Sequence, residues 1–467
     1  MINLSPVAAR SPSGVAVRVP APYAARMTVI DLGRVGPAGD NSVGASRPGP
    51  LRRSPRRRWL VTVVAVCCGL AVTGSARPDP RGLTPLWDVP FTLDANSYQL
   101  AGDGIVVLDR PTGRLTAHDA RTGAVRWSAQ ADDADGLAGV RDGVLLIRTG
   151  VTVTNKVVPE GSPFAREFTR NTTAVDAATG RTLWRQPGET VTVVDDHALL
   201  LEWDENGERA RRIRLVRLRD GGTIWSRDGG GAVSLATDMT SGVRAERVLA
   251  VTVRGRAEVI AMTDGSVVTS GTLPRPGVAR SEDSWSVTLH GGQLYQDRTV
   301  RGRTTITAYE IDTLRQLWSL EQPAGGSFGC GPVVCVSDGE SISGHDRATG
   351  ARLWRLSAVA GVYPLTGGLL LTDQENGARH TVLEATTGSP LGELGRGLPV
   401  WDSRGHLTYL IAGTRQPPGR TSVSSVDPAS AEVVLRGTVA SAQSCRTEGD
   451  LLTCVTEDNR LAVTDLG

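Results

Sequence analysis

The chain has 467 residues with a net charge of +2; aromatic residues make up 4% of it, and ten of these are tryptophan. A charge balance this close to neutral excludes the broad basic footprint of a nucleic-acid-binding protein. Lys156 is the sole lysine, so the positive charge is nearly all arginine. The length could hold two or three ordinary domains or a single repeat fold.

Residues 1–58 lack a sustained hydrophobic period and are rich in Pro, Gly, Ala, Ser and Arg, a composition that cannot build a core and reads as disordered. Within them, Met27 offers an alternative start to Met1. Arg52, Arg53, Arg56, Arg57 and Arg58 then precede an uncharged stretch of 18 residues, 59–76. That stretch is near the lower limit for a membrane-spanning helix. The arginines belong on the cytoplasmic side, so all that follows Ala76 is expected outside the membrane. We read 59–76 as a single-pass anchor in the cell membrane with a cytoplasmic N-terminus. A signal peptide cut after Ala76 is the alternative, since Gly74 and Ala76 are small enough for a cleavage site. Residues 77–82 form a short linker.

From Leu83 to Gly467 the sequence alternates short apolar runs with turn residues. GIVVLD, GVLLIR, HALLLEW, RVLAVTV, PVVCVSDG and GGLLLTD read as strands, and no stretch has the period of an amphipathic helix. The fold class is therefore all-β. Three stretches share one pattern: Asp119, Gly123 and Trp127; Asp176, Gly180 and Trp184; Asp346, Gly350 and Trp354. Each reads as a hairpin with a Thr-Gly turn. The tryptophan position, or its degenerate equivalent, falls at Trp87, Trp127, Trp184, Trp225, Thr269, Trp318, Trp354, Gly392 and Leu435. Spacings run from 36 residues (Trp318 to Trp354) to 57 (Trp127 to Trp184), the longest reflecting an insertion near 151–170. Such a period marks a repeat architecture.

The ends carry complementary pieces of one copy: Asp465 lies in a strand with no Trp strand after it, and Trp87 in a strand with no Asp strand before it. Pairing them closes a ring and removes both open edges, whereas a linear solenoid would need caps. The expectation is an eight-bladed β-propeller, counting the copy ending at Thr269 as false, with nine blades as the alternative.

The Ala-x-Asp-x-x-Thr-Gly-x-x-x-Trp pattern resembles the tryptophan-docking repeat of the pyrroloquinoline quinone dehydrogenases and of the barrel-assembly propeller lipoprotein. The resemblance implies that Trp127, Trp184 and Trp354 pack between neighbouring blades. In the quinone enzymes it would also imply a disulfide between adjacent cysteines and a calcium site with a catalytic Asp. Here the adjacent pair, Cys67-Cys68, lies in the apolar stretch, and no calcium-loop spacing is present.

A group needed once per copy is scaffold rather than a unique active site, so Asp119, Asp176 and Asp346 are read as turn caps. Cys330 with Cys335, and Cys445 with Cys454, are read as two local disulfides across the arms of hairpins, where facing residues come within bridging distance. His118 and His345, at the same motif position, are read as strand-surface residues. No cofactor, metal site or catalytic residue is assigned. The reading is a membrane-tethered, extracytoplasmic, monomeric scaffold that is not an enzyme and binds a protein or envelope partner, with 151–170 as first contact surface. The alternative is a quinone- or metal-dependent oxidoreductase using the propeller channel.

Overall fold

The computed structural model describes residues 83–156, 164–238, 245–274, 283–323, 325–374 and 379–467. The segment 1–58 read as disordered, the stretch 59–76 read as an anchor and the linker 77–82 lie outside the described residues. Among those described, no helix is long and apolar enough to cross a membrane. Among the described residues a single 3₁₀ turn, Thr366–Gly368, interrupts the strands.

The strands form nine four-stranded antiparallel sheets. Eight are consecutive meanders, which we call blades 1 to 8: 96–130, 134–187, 189–228, 232–272, 284–323, 326–357, 359–395 and 398–440. Blade 9 takes Ala442–Glu448, Leu451–Thr456 and Arg460–Asp465 from one end of the fold and Thr84–Pro90 from the other. In that seam Thr84 lies opposite Asp465 and Trp87 opposite Val463. Innermost strands of successive blades pack on one another, and parallel bridges from Asp238 to Leu289 and from Asp402 to Thr447 join two such pairs.

The core lies between blades rather than within one. Ala198 and Leu200 of blade 3 pack on Leu146 and Ala174 of blade 2, while Leu199 and Leu201 pack on Val248 and Ala250 of blade 4. Successive side chains of a strand point to opposite faces, so a strand sandwiched between two sheets must be apolar at every position. This is why HALLLEW and RVLAVTV read as continuous apolar runs. Nine such clusters lie between the nine pairs of neighbouring blades.

The ring has nine blades, not eight. The copy ending at Thr269 is a complete sheet, Ala232–Thr237, Arg247–Thr252, Arg256–Ala261 and Val267–Thr272. Loss of its tryptophan did not cost the blade its identity, because a blade is held by two apolar faces and the indole serves the contact with the next blade.

That contact is specific. Gly180 of blade 2 has φ +73°, and a Cβ there would lie 2.5 Å from the Trp127 ring of blade 1. Trp87, Trp184, Trp225, Trp318 and Trp354 cover Gly123, Gly221, Gly265, Gly350 and Gly388 of the following blade in the same way. Each of the six indole N–H groups donates to a backbone carbonyl beside that turn, at 2.6 to 3.0 Å. Where blade 4 has Thr269, blade 5 has Leu314 in place of the glycine, at φ +55°; where blade 7 has Gly392, blade 8 has Ala431, at φ +53°. Tryptophan and glycine are absent together.

Trp184→Ala should destabilise the fold by about 3–5 kcal/mol, the usual cost of emptying a buried indole site. Gly221→Ala should cost more than Gly292→Ala in urea unfolding, because both positions have positive φ but no atom lies near the Cβ position of Gly292. Equal effects would show that backbone strain alone accounts for the glycine.

Candidate interaction surfaces

The repeat acids are bound to their own turns. Asp119 accepts from the N–H groups of Arg121 and Thr122 and from the Thr122 hydroxyl at 2.9 to 3.1 Å. Asp176 does the same with Ala178 and Thr179, and Asp346 with Thr349. Asp119 also receives the Arg126 guanidinium at 2.7 Å, which grips Asp103 as well. Arg126 and the Thr122 donors hold the Asp119 carboxyl well below the usual carboxylate range. The Thr179 hydroxyl acts likewise on Asp176 and the Thr349 hydroxyl on Asp346. At Glu384 of blade 7, the Thr386 hydroxyl and Thr387 bring the value to about 2. A carboxylate held ionised by its own turn is a poor proton shuttle at neutral pH.

At the seam, Asp465 accepts from the Gly467 N–H and from Arg121 of blade 1, each at 3.0 Å. Arg121 also pairs with Asp450, so one side chain fastens two acids of blade 9. Nothing in the repeat pattern singled out this clamp, because Arg121 is one of many arginines in turns.

His118 and His345 are not surface residues. Both are 8% exposed. His118 stacks on Trp87 and hydrogen-bonds the Gly123 carbonyl at 3.0 Å; His345 makes the matching contact with Gly350 at 2.9 Å. The register places each ring under the glycine turn, on the face covered by the preceding blade. Among the described residues no group of His, Cys, Asp and Glu is placed to hold a metal ion. Cys67 and Cys68 lie outside the described residues.

Both cysteine pairs are bonded, and each ties an innermost strand to its neighbour. Cys445 and Cys454 are directly opposite. Cys330 and Cys335 are diagonal rather than facing, since Cys330 registers with Val333 and Cys335 with Phe328. Their Cα atoms are 5.6 Å apart, within the range a disulfide spans.

The insertion is a paired hairpin over its described part. Val144–Lys156 and Phe164–Asp176, 13 residues each, run antiparallel to the pair Lys156 and Phe164; residues 157–163 are outside the described residues. Its root leans on blade 3: Phe168 is buried against Gly207, and Arg170 donates to the Glu205 carbonyl at 3.1 Å. Beyond that root Val153 is 57% exposed. A second departure was not read from the sequence. The outer strand of blade 8, Glu432–Ala440, leaves Val433, Val434 and Leu435 exposed; its bulge falls after Leu435 rather than before it, so Val434 pairs with Ser425 in the tryptophan's place and is 39% exposed where four tryptophans are at 8%.

The depressed acids set a pH dependence. Their contribution to stability is present above the ordinary carboxylate range and is lost as pH falls through the folded-state values, from about pH 4 downward. Asp297, raised by burial, acts in the opposite sense. The urea midpoint should fall between about pH 5 and about pH 2, and should fall less steeply in Asp176→Asn/Asp346→Asn. Parallel pH profiles for the two proteins would contradict the capping role.

No curated protein matches the chain significantly. The solved structures it is similar to include BamB from Moraxella catarrhalis, 14% identical, covering 82% of this chain and 99% of that one at a TM-score of 0.41. The computationally designed Ika8 protein is 12% identical with the same coverage and a TM-score of 0.42. A europium-containing methanol dehydrogenase is 12% identical over 70% of this chain and 72% of its own, at 0.34. The family model described as outer membrane protein assembly factor BamB matches residues 83–209 and 173–338, together more than half of the sequence. The chain thus belongs to that family of PQQ-type repeat propellers.

Proposed function

We propose that this chain is a membrane-tethered, extracytoplasmic scaffold that binds a protein or cell-envelope partner and catalyses no reaction. The observation that carries the reading is family membership, since the family is described by an assembly factor of the outer membrane. The state of the repeat acids agrees with it: Asp119, Asp176 and Asp346 are engaged by their own turns. A rigid disc leaves specificity to its loops, and the hairpin of blade 2 is the element that extends past its neighbours' turns. Its contact surface lies beyond the buried Phe168.

Replacing residues 153–167 by an Asn-Gly turn keeps Phe168 and the root intact. In proximity labelling from the intact cell surface, this variant should lose the partner that the unaltered chain labels, while its melting temperature stays close to the parent's. An unchanged set of labelled proteins would overturn the hairpin assignment. Stoichiometric quinone absorbance or a bound metal in the purified protein would favour the oxidoreductase instead.

Topology has its own readout. Added protease should digest residues 83–467 in intact cells at accessible turns, and full protection would contradict the exported topology.

A further inference from the structure

We propose that the outer strand of blade 8, Glu432–Ala440, is a lipid-contact site that lays Val433, Val434 and Leu435 against the bilayer. This rests on the membrane tether proposed above. The first described residue, Leu83, packs in the cluster between blades 8 and 9 with Val439, and its side chain lies against Gly437, where an added Cβ would be 3.0 Å away. The chain therefore enters the fold at the middle of this strand. Leu435 is two residues from Gly437, about 7 Å along a strand. Upstream, the six residues Arg77 to Gly82 separate Leu83 from the uncharged stretch 59–76. Six residues reach about 20 Å at full extension, so a bilayer holding 59–76 lies close to this rim.

The strand is suited to that neighbour. It is the longest outer strand described, nine residues against six to eight in the others. Its three consecutive apolar side chains are all exposed, with exposed Arg436 next to them. Exposed Glu432 stands at the other end of the run; apolar side chains beside an arginine suit the boundary between acyl chains and headgroups. At six junctions the outer-strand indole lies against the next blade's glycine turn. Blade 9 has no such turn, because its third and outer strands come from opposite ends of the fold, so Val434, which the register puts in the tryptophan's place, has no docking site within the ring.

The full chain, incorporated into vesicles of phosphatidylcholine and phosphatidylglycerol with a diazirine-bearing acyl chain, should acquire lipid adducts on irradiation at 59–76 and at 432–436. Val434→Glu/Leu435→Glu, matched to the parent in melting temperature, should lose the second set and keep the first. Adducts at 59–76 with none at 432–436 in the unaltered chain would overturn the inference and leave the tether standing. Adducts at neither place would overturn both. A covalent link between two copies through 432–436 would assign the strand to self-association instead.

Discussion

The structure depends on an indole of one blade lying over the missing Cβ of the next. A four-stranded sheet with both faces apolar cannot stand alone in water, so each blade must be covered twice. Stacked apolar faces alone leave the sheets free to slide, since the hydrophobic effect is not directional. The indole N–H bond to a backbone carbonyl, together with the close approach over glycine, sets one register and angle for each junction. Six junctions share this arrangement, from Trp87 over Gly123 to Trp354 over Gly388. At the two junctions where the indole is missing, the following turn carries Leu314 or Ala431 instead. Either residue accepts the strain of positive φ, about 1 kcal/mol, in exchange for filling the space; Leu314 joins the core between blades 4 and 5.

Closure brings a second constraint. Blade 9 has its third and outer strands from opposite ends of the fold, so it lacks the turn that would receive a side chain from blade 8. Arg121, reaching from blade 1 to Asp465 and Asp450, binds the opposite side of this blade. Cys445–Cys454 fixes its inner two strands. The ring is thus fastened on the side of blade 1, and the unpartnered side chain is left on the side of blade 8.

Much of this was legible in the sequence, because the Asp, Gly and Trp of one hairpin recur at fixed offsets and the split copy announces itself in Asp465 and Trp87. The blade number was misjudged for an identifiable reason. Counting by tryptophan weighs the junction rather than the sheet, and Thr269 marks a junction built differently, not a missing blade. The paired loss at Leu314 was readable in the next copy of the same pattern, as a turn without its glycine. His118 and His345 were misplaced because strand alternation shows which face a residue takes but not whether a neighbouring sheet covers it. The diagonal bond of Cys330 to Cys335 depends on hairpin register, which the cysteine spacing alone leaves open.

The same logic separates scaffold from surface. Positions that recur in every blade are engaged by the junctions, so recognition falls to positions where the pattern is interrupted. Two interruptions stand out, the hairpin of blade 2 and the rim of blade 8, and they are three blade steps apart in a ring of nine. A propeller seated on lipid by blade 8 would carry the hairpin a third of the way round, away from the membrane contact. Because the indole junctions make the ring rigid, that separation is set by the blade count. The ninth blade, which the tryptophan count had discarded, therefore bears on where a partner can approach.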